Sequence, residues 1–246
     1  MPIYVSPILR ANLEAWGATE WLSKLPTVIQ ELTELWSITL GKPFEIEASC
    51  SWVAPCIDAD GHEAVFKIGW PHMEAEHEID GLNFWNGDST VYLLKADKHH
   101  NAMLLERCVP GSNLRELPIA EHDQIIAKLL PRLWRVPPDP HGFRPLADMI
   151  NFWIKEAEIH ADQWLDPAIS RDGIAAFHHL IDSTGQDVLL ATDLHAGNVL
   201  RAQREPWLVI DPKTFLGDRA YDATQHLLND WQSLAEKPKK RISEFA

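Results

Sequence analysis

The first forty residues carry apolar side chains three or four positions apart in a polar background. Because an α-helix has about 3.6 residues per turn, this spacing predicts one or two amphipathic helices between residues 10 and 40, broken near Pro26. The apolar positions are Leu13, Trp16, Leu22, Leu25, Ile29, Leu32, Leu35 and Trp36.

From residue 44 the apolar period shortens to two. Phe44, Ile46 and Ala48 alternate with glutamates, residues 58–61 read Asp-Ala-Asp-Gly, and residues 64–68 form an apolar run that contains Lys67. Alternation and an apolar run on either side of a turn signal predict a β-hairpin with Lys67 on its second strand.

The pattern then predicts a helix over residues 73–85, where Gly81 is an unfavourable residue. Two short apolar runs at 91–94 and 102–105 are typical of strands, and the Pro-Gly pair at 110–111 marks a break.

The second half is mainly helical in pattern. Helices are predicted around residues 125–134, 149–159 and 174–181, and strands at 188–191, 199–201 and 207–211. Pro131 should kink or end the first of these helices. A β-rich part followed by a helical part places the chain in the α+β class.

The formal net charge is −14. Nucleic-acid binding needs a basic footprint, so the charge argues against such a partner, and the basic run at 237–241 is expected to be solvated. An acidic surface attracts a cationic substrate, although charge that only keeps the protein in solution explains the balance equally well.

Three cysteines, an odd number without a C-x-x-C pair, fit a reducing compartment and no zinc ribbon. No apolar run approaches the roughly 18 residues of a membrane span, and the first residues do not resemble a signal peptide. We therefore expect a cytoplasmic protein without a membrane partner, and leave its oligomeric state open.

Three acceptor side chains stand at the ends of short apolar runs. Asp193 follows the run at 188–191, Asn198 stands five positions later, and Asp211 ends the run at 207–210. Phosphoryl transfer needs such groups: a carboxylate to orient a hydroxyl, and an amide and a carboxylate to hold Mg²⁺. The alternative is an ordinary loop rich in turn residues.

Several motifs occur together in one order: residues 66–78, Leu-Leu-Glu-Arg at 104–107, Asp-Leu-His-Ala-Gly-Asn-Val-Leu at 193–200, Ile-Asp-Pro-Lys at 210–213, and residues 217–226. In these motifs the chain resembles the aminoglycoside phosphotransferase family of the protein-kinase-like fold, and within it the streptomycin and hydroxyurea phosphotransferase branch. The resemblance runs over about residues 1–230.

The resemblance implies a two-lobed α+β protein that uses ATP and Mg²⁺. Residues 1–107 would form a nucleotide-binding N-lobe with an N-terminal helical extension. Residues 108–246 would form a helical C-lobe with the catalytic loop and acceptor site. The last residues look like the first turn of a helix that relatives continue.

On the nucleotide side, the resemblance implies that Lys67 grips the α- and β-phosphates and that Glu78 pairs with it. Ser49 and Ser51 belong to a glycine-free segment in the place of the kinase glycine-rich loop. The segment from Glu106 to Cys108 would be the hinge, where backbone groups bind adenine.

On the acceptor side, Asp193 would be the catalytic base, and Asn198 and Asp211 the Mg²⁺ ligands. His195 and Asp222 would support the catalytic loop. The family usually has His-Gly before the catalytic Asp, and this chain has Ala-Thr at 191–192.

The acceptor is expected to be a small molecule of the cationic aminoglycoside class, with streptomycin favoured, and its phosphorylation would confer antibiotic resistance. Acidic side chains of the helical half could bind it, or could simply form a solvated helix face: Glu156, Asp162, Asp166 and Asp218. The alternatives are a kinase with another acceptor, such as hydroxyurea or a metabolite, and a nucleotide-binding pseudoenzyme.

Overall fold

A computed structural model describes residues 3–44, 49–181 and 186–245 of the chain. The helices are α1 (Pro7–Ala15), α2 (Thr19–Trp36), α3 (Glu78–Trp85), α4 (Ile119–Leu133), α5 (Leu146–Ile159), α6 (Pro167–Ile181), α7 (Asp222–Asn229), α8 (Trp231–Glu236) and α9 (Pro238–Phe245). The strands are β1 (Thr39–Leu40), β2 (Ser51–Ile57), β3 (Glu63–Gly69), β4 (Leu93–Asp97), β5 (Ala102–Glu106), β6 (Val188–Ala191), β7 (Val199–Arg201), β8 (Trp207–Val209) and β9 (Thr214–Gly217). The α+β class is confirmed.

The first five strands form an antiparallel sheet in the order β1-β2-β3-β5-β4. Within it, β2 and β3 form the predicted hairpin, and Lys67 on β3 stands opposite Val53 on β2 and Met103 on β5. The alternating residues 45–48 lie outside the described residues.

Alternation along β3 gives the sheet two different faces. Ala64, Phe66 and Ile68 pack against the core that α1 and α2 close. Val65 and Lys67 point to the other face and line a cavity between the sheet and the second half of the chain. One lysine in an apolar strand is thereby delivered to the cavity.

The predicted break between the two N-terminal helices is real, but its place was wrong. Pro26 lies inside α2, and the chain turns instead at Gly17, which has a φ of +71°. Pro26 is exposed, while Leu25, Ile29 and Leu32 of the same helix are buried against the sheet. Packing of that apolar face holds the helix together across the proline.

The helix expected over residues 73–85 is split. Met73–Ala75 form a short 3₁₀ turn, and α3 begins at Glu78. Gly81 is required here, because a Cβ at this position would lie 2.2 Å from Cγ2 of Thr214 on β9. The glycine therefore allows α3 to approach the catalytic half of the chain closely.

Two small antiparallel sheets lie in the second half, β6 with β9 and β7 with β8. The strand β9 was not predicted, since its four residues show no alternation. Val91 belongs to neither β4 nor β5, as its N–H donates to the carbonyl of Val209 at 3.1 Å. This contact ties the sheet of the first half to β8.

The C-terminal basic run is not wholly solvated as expected. Arg241 on α9 is 4% exposed, and it forms hydrogen bonds of 2.8 Å with the carboxylates of Asp123 and Asp230. Among the described residues, the structure contains no helix with the length and apolar character that crossing a lipid bilayer requires.

Candidate active site

Lys67 forms an ion pair that is almost completely buried. Its Nζ lies 2.6 and 2.7 Å from the two carboxylate oxygens of Glu78, in the first turn of α3, and it also contacts Oδ1 of Asp211. Burial disfavours the charged ammonium, but Asp211 and Glu78 outweigh that effect, so the pKa of Lys67 lies above its ordinary value. The cation is charged and aimed by Glu78 rather than by Glu74 or Glu76.

Asp211 stands just beyond β8 in a left-handed conformation, with a φ of +53°. The N–H of Ile210 donates to the carbonyl of Asn198 at 2.9 Å, which continues the pairing of β7 with β8 and brings Asn198 close to Asp211. Burial by itself would raise the pKa of Asp211. The ammonium groups of Lys213 and Lys67 together have the larger, opposite effect, so the pKa lies well below its usual range.

The loop that was expected to carry catalysis joins β6 to β7. Nδ2 of Asn198 donates to the backbone oxygen of Asp193 at 3.0 Å and to its Oδ2 at 3.3 Å. Nδ1 of His195 accepts the N–H of Gly197 at 2.9 Å, so in the neutral ring the proton sits on Nε2, which lies 3.7 Å from Oδ1 of Asp193. Burial raises the pKa of Asp193 above its ordinary value, against the opposing effect of His195.

The unusual Ala-Thr pair before Asp193 has its own anchor. Thr192 is buried, and its Oγ1 donates to the carbonyl of Lys213 at 2.9 Å. Asp222 accepts the N–H of Ala191 at 3.2 Å and Nε1 of Trp134 at 3.0 Å. The end of β6 is therefore braced from both sides.

A cavity of about 540 Å³ is lined by Lys67, Asp193, Asn198 and Asp211. Apolar side chains line the same cavity and form what we call the apolar slot: Val53, Val65, Val91, Leu105, Leu200 and Ile210. The slot suits a flat base, and the hard oxygen donors of Asp193, Asn198 and Asp211 suit a divalent cation such as Mg²⁺.

The glycine-free segment that leads into β2 also lines the cavity, through Ser49, Cys50 and Ser51, the first residue of the strand. Two contacts hold it in place. Nδ2 of Asn12 on α1 donates to the carbonyl of Ser49 at 3.1 Å, and the N–H of Trp70 donates to that of Cys50 at 2.8 Å. The N-terminal helix thus supports the segment that the resemblance assigns to phosphates.

Glu106 and Cys108 line the cavity where the hinge was expected. The N–H of Glu106 donates to the carbonyl of Tyr92 at 2.9 Å, so this donor is already used within the protein. Its carboxylate accepts 2.9 and 3.0 Å hydrogen bonds from Arg204, whose Nη1 and Nη2 also donate to the carbonyls of Gly87 and Thr90. Through Arg204, the Glu106 side chain thus links the expected hinge to the second half of the chain.

The four acidic candidates for acceptor binding, Glu156, Asp162, Asp166 and Asp218, are exposed, and none lines this cavity. Asp166 and Asp218 each accept a backbone N–H at 2.9 Å, from Ala168 and Ala220, and so cap the helical turns that follow them. Acceptor binding by these residues stays a prediction.

Sequence reasoning assigned no role to Arg204 or Lys213. Arg204 lies in a polar turn between β7 and β8, which offers no local signal. The position of Lys213 could have been noticed, because it follows Asp211 by two residues in the Ile-Asp-Pro-Lys motif at 210–213. Its ammonium lies 2.6 Å from Oδ1 of Asp211, and the residue is 4% exposed.

The chain matches the family model described as aminoglycoside/hydroxyurea antibiotic resistance kinase over residues 39–244. It is 36% identical to streptomycin 6-kinase of Streptomyces glaucescens over 238 residues, 93% of this chain and 75% of that one. It is 33% identical to hydroxyurea phosphotransferase of Kitasatospora aureofaciens, over 92% of this chain and 68% of the relative.

Solved structures with low sequence identity share the fold. Choline kinase LicA from Streptococcus pneumoniae has a TM-score of 0.65 at 11% identity, covering 90% of this chain and 80% of its own. A thermostable mutant of aminoglycoside phosphotransferase APH(4)-Ia has a TM-score of 0.56 at 17% identity. The match covers 87% of this chain and 84% of that structure's chain. The protein-kinase-like fold expected from the motifs is confirmed.

Proposed function

The chain belongs to the family of aminoglycoside/hydroxyurea antibiotic resistance kinases, and we propose that it transfers the γ-phosphoryl group of ATP to a hydroxyl of streptomycin, which inactivates the antibiotic. The observation that carries the proposal is that Lys67, Asp193, Asn198 and Asp211 line a single cavity, in which Lys67 contacts Asp211 and Asn198 donates to Asp193.

Each of these side chains has a task in the proposed reaction. Lys67, aimed by Glu78, binds the α- and β-phosphates, while Ser49 and Ser51 line their side of the cavity. Asn198 and Asp211 would hold Mg²⁺, which would supply positive charge to the phosphate oxygens. Asp193 orients the acceptor hydroxyl and accepts its proton, and a raised pKa makes this carboxylate a better base.

The base of ATP would occupy the apolar slot, and the hinge would bind it through backbone groups after Glu106. His195 and Asp222 support the loop from which Asp193 acts. We assign nucleotide binding mainly to residues 1–107 and acceptor binding to residues 108–246.

Streptomycin is favoured over hydroxyurea on charge. Two of the relatives are named streptomycin 6-kinase, at 36% and 34% identity, and the net charge of −14 attracts a cation. A neutral acceptor such as hydroxyurea is not attracted by the negative charge of the protein. A pseudoenzyme is disfavoured because the lysine, the base and both metal ligands are present.

Turnover separates these candidates. ADP release would be measured with Mg·ATP alone, with streptomycin and with hydroxyurea, and the product examined by mass spectrometry for one added phosphoryl group. We expect release only with streptomycin. Release with hydroxyurea alone would support the second acceptor, and no release with any acceptor would contradict the proposal.

Metal binding is tested at Asp211. Asp211→Ala should abolish Mg²⁺-dependent ATP binding in calorimetry, because the amide of Asn198 is a neutral and weaker ligand. Asp172→Ala, at an exposed position on α6, serves as the matched control. Unchanged metal-dependent affinity in Asp211→Ala would place the metal elsewhere.

A further inference from the structure

Two ammonium groups share one carboxylate oxygen of Asp211, a residue that lines the cavity. Lys67 and Lys213 both contact Oδ1 of Asp211, the latter at 2.6 Å. Both lysines are nearly inaccessible, at 5% and 4% exposure. A buried ammonium needs an anion beside it, so the two lysines compete for the same charge.

The two lysines are not equivalent. Lys67 is also bound to both oxygens of Glu78. Among the residues that the structure describes, the ion pair of Lys213 is with Asp211. The backbone of Lys213 is pinned by Thr192, whose hydroxyl donates to its carbonyl. Lys213 therefore has a fixed backbone anchor and a side chain whose described ion pair is with Asp211, while the charge of Glu78 also acts on it.

A divalent cation on Asp211 would end this arrangement. It would place two further positive charges beside two ammonium groups, and repulsion between like charges a few ångströms apart is strong in a buried site. Lys67 keeps Glu78 as its partner. Lys213 must exchange Asp211 for another anion.

The surroundings of Lys213 indicate which anion is in reach. Cys50 lies in the segment beside the expected phosphates, and it lines the same cavity as Lys67. Burial raises the pKa of the Cys50 thiol, but His72 and Lys213 lower it below its ordinary value, so the field of Lys213 extends to that segment. A phosphate chain bound there would supply the missing negative charge.

We propose that Lys213 is a second phosphate-binding cation, which sits on Asp211 in the nucleotide-free protein and moves to the terminal phosphates when a divalent cation takes Asp211. The proposal rests on the proposed function, since it needs a nucleoside triphosphate in this cavity. Under this proposal, Lys213 competes with a free divalent cation for Asp211. When the cation arrives with a nucleotide, Lys213 instead binds the terminal phosphates.

The two roles predict opposite effects of one substitution. Lys213→Met removes the cation and keeps a side chain of similar length. Binding of Mn²⁺ alone should become about 10- to 100-fold tighter, because Asp211 loses a competitor, while Mg·ATP should bind about 10- to 100-fold more weakly. Adenosine, which has no phosphate, should bind as it does to the wild-type protein.

The measurements are titration calorimetry for Mg·ATP and adenosine, and electron paramagnetic resonance for Mn²⁺. Lys24→Met is the matched control, since Lys24 forms an exposed pair with Glu20 on α2, and it should leave all three affinities unchanged. Lys213→Gln provides a second neutral variant, and unchanged adenosine binding reports that the fold is intact.

A merely structural role for Lys213 would weaken Mn²⁺ and Mg·ATP binding together, and that result would overturn the proposal, as would unchanged affinities in both variants. If the wild-type protein binds Mg·ATP and phosphorylates an acceptor, and Lys213→Met has the same affinities, the role proposed for Lys213 is wrong and the proposed function stands. If the wild-type protein binds no Mg·ATP, the proposed function fails as well.

Discussion

At the scale of single residues, the role proposed for Asp193 is the one that would distinguish a phosphotransferase from a protein that only binds nucleotide. Its carboxylate is held by the amide of Asn198 and approached by Nε2 of His195 at 3.7 Å. Neither neighbour removes its ability to accept a proton. Its task can therefore be separated from that of the metal ligands by substitution.

Asp193→Asn should reduce streptomycin-dependent turnover by roughly 10²- to 10⁴-fold, the range for a positioned base. The affinity for Mg·ATP should change little, because Asn198 and Asp211 are untouched. A coupled assay of ADP release and calorimetry measure the two effects. Asp172→Asn, at an exposed position on α6, is the control. Turnover near the wild-type rate would remove Asp193 from the role of base.

Asp222 makes stability depend on pH. It is fully buried, and burial raises the pKa of its carboxyl to about 7, above the ordinary value of about 4 of an unfolded chain. The folded protein therefore holds this proton more tightly. The stabilisation is complete below about pH 4 and is lost as the pH rises through about 7.

Asp222→Asn should remove that dependence, since the amide oxygen can accept from Ala191 and Trp134 as the carboxyl does. Denaturant unfolding between pH 4 and 8 would compare the two proteins. The free energy of unfolding of the wild type should fall relative to that of the variant as the pH rises. A constant difference across this range would show that Asp222 is not protonated on folding.

At the scale of elements, the position of α3 decides whether Glu78 reaches Lys67. The helix lies close to β9 because Gly81 has no side chain. Thr214 faces that glycine, and its hydroxyl donates to the carbonyl of His77 at 2.7 Å, just before α3 begins. The helix carrying the lysine's partner is thus fitted to a strand of the catalytic half.

Gly81→Ala should push α3 from β9, raise the KM for Mg·ATP, and destabilise the protein by about 1–3 kcal/mol, as overpacking does. Gly173→Ala on α6 is the matched control, because its Cβ would meet nothing within 4 Å, and a gain of about 1 kcal/mol is expected there. Kinetics and thermal unfolding measure both.

Thr214→Ser offers a rescue of that variant. It removes the Cγ2 that a Cβ at position 81 would meet and keeps the hydroxyl that binds His77. The double variant Gly81→Ala, Thr214→Ser should recover most of the KM and of the stability. No recovery would mean that the loss in Gly81→Ala has a cause other than this contact.

At the scale of the whole molecule, the net charge of −14 should act on the acceptor. If acidic residues bind a cationic aminoglycoside, the KM for streptomycin rises with salt, because exposed charges are screened over about 8–10 Å at 0.10–0.15 M. The KM for Mg·ATP need not follow the same curve. Steady-state kinetics across a salt series measure both.

Neutralising Glu156, Asp162, Asp166 or Asp218 should then raise the acceptor KM more than it lowers kcat, since such contacts bind ground and transition states alike. Asp60→Asn, in the exposed β2–β3 turn, is the control. A KM indifferent to salt and to these substitutions would leave the acidity a matter of solubility, and would favour a neutral acceptor.

The sequence by itself determined the local features. The hairpin that carries Lys67, the strand before Asp193 and the α+β class follow from apolar periodicity, which depends only on neighbouring residues. The order and spacing of the motifs identified the family. The lobe boundary after residue 107 and the roles of the site residues stay predictions.

Only the tertiary structure decided which distant groups meet. The split before α3, the strand β9 and the burial of Arg241 all depend on packing against elements elsewhere in the chain. Lys67 and Asp211 are 144 positions apart. No local pattern in the sequence indicates that Lys67 and Lys213 contact the same carboxylate oxygen of Asp211. Contacts of this kind arise because burying charge requires a partner, and the fold selects which one is near.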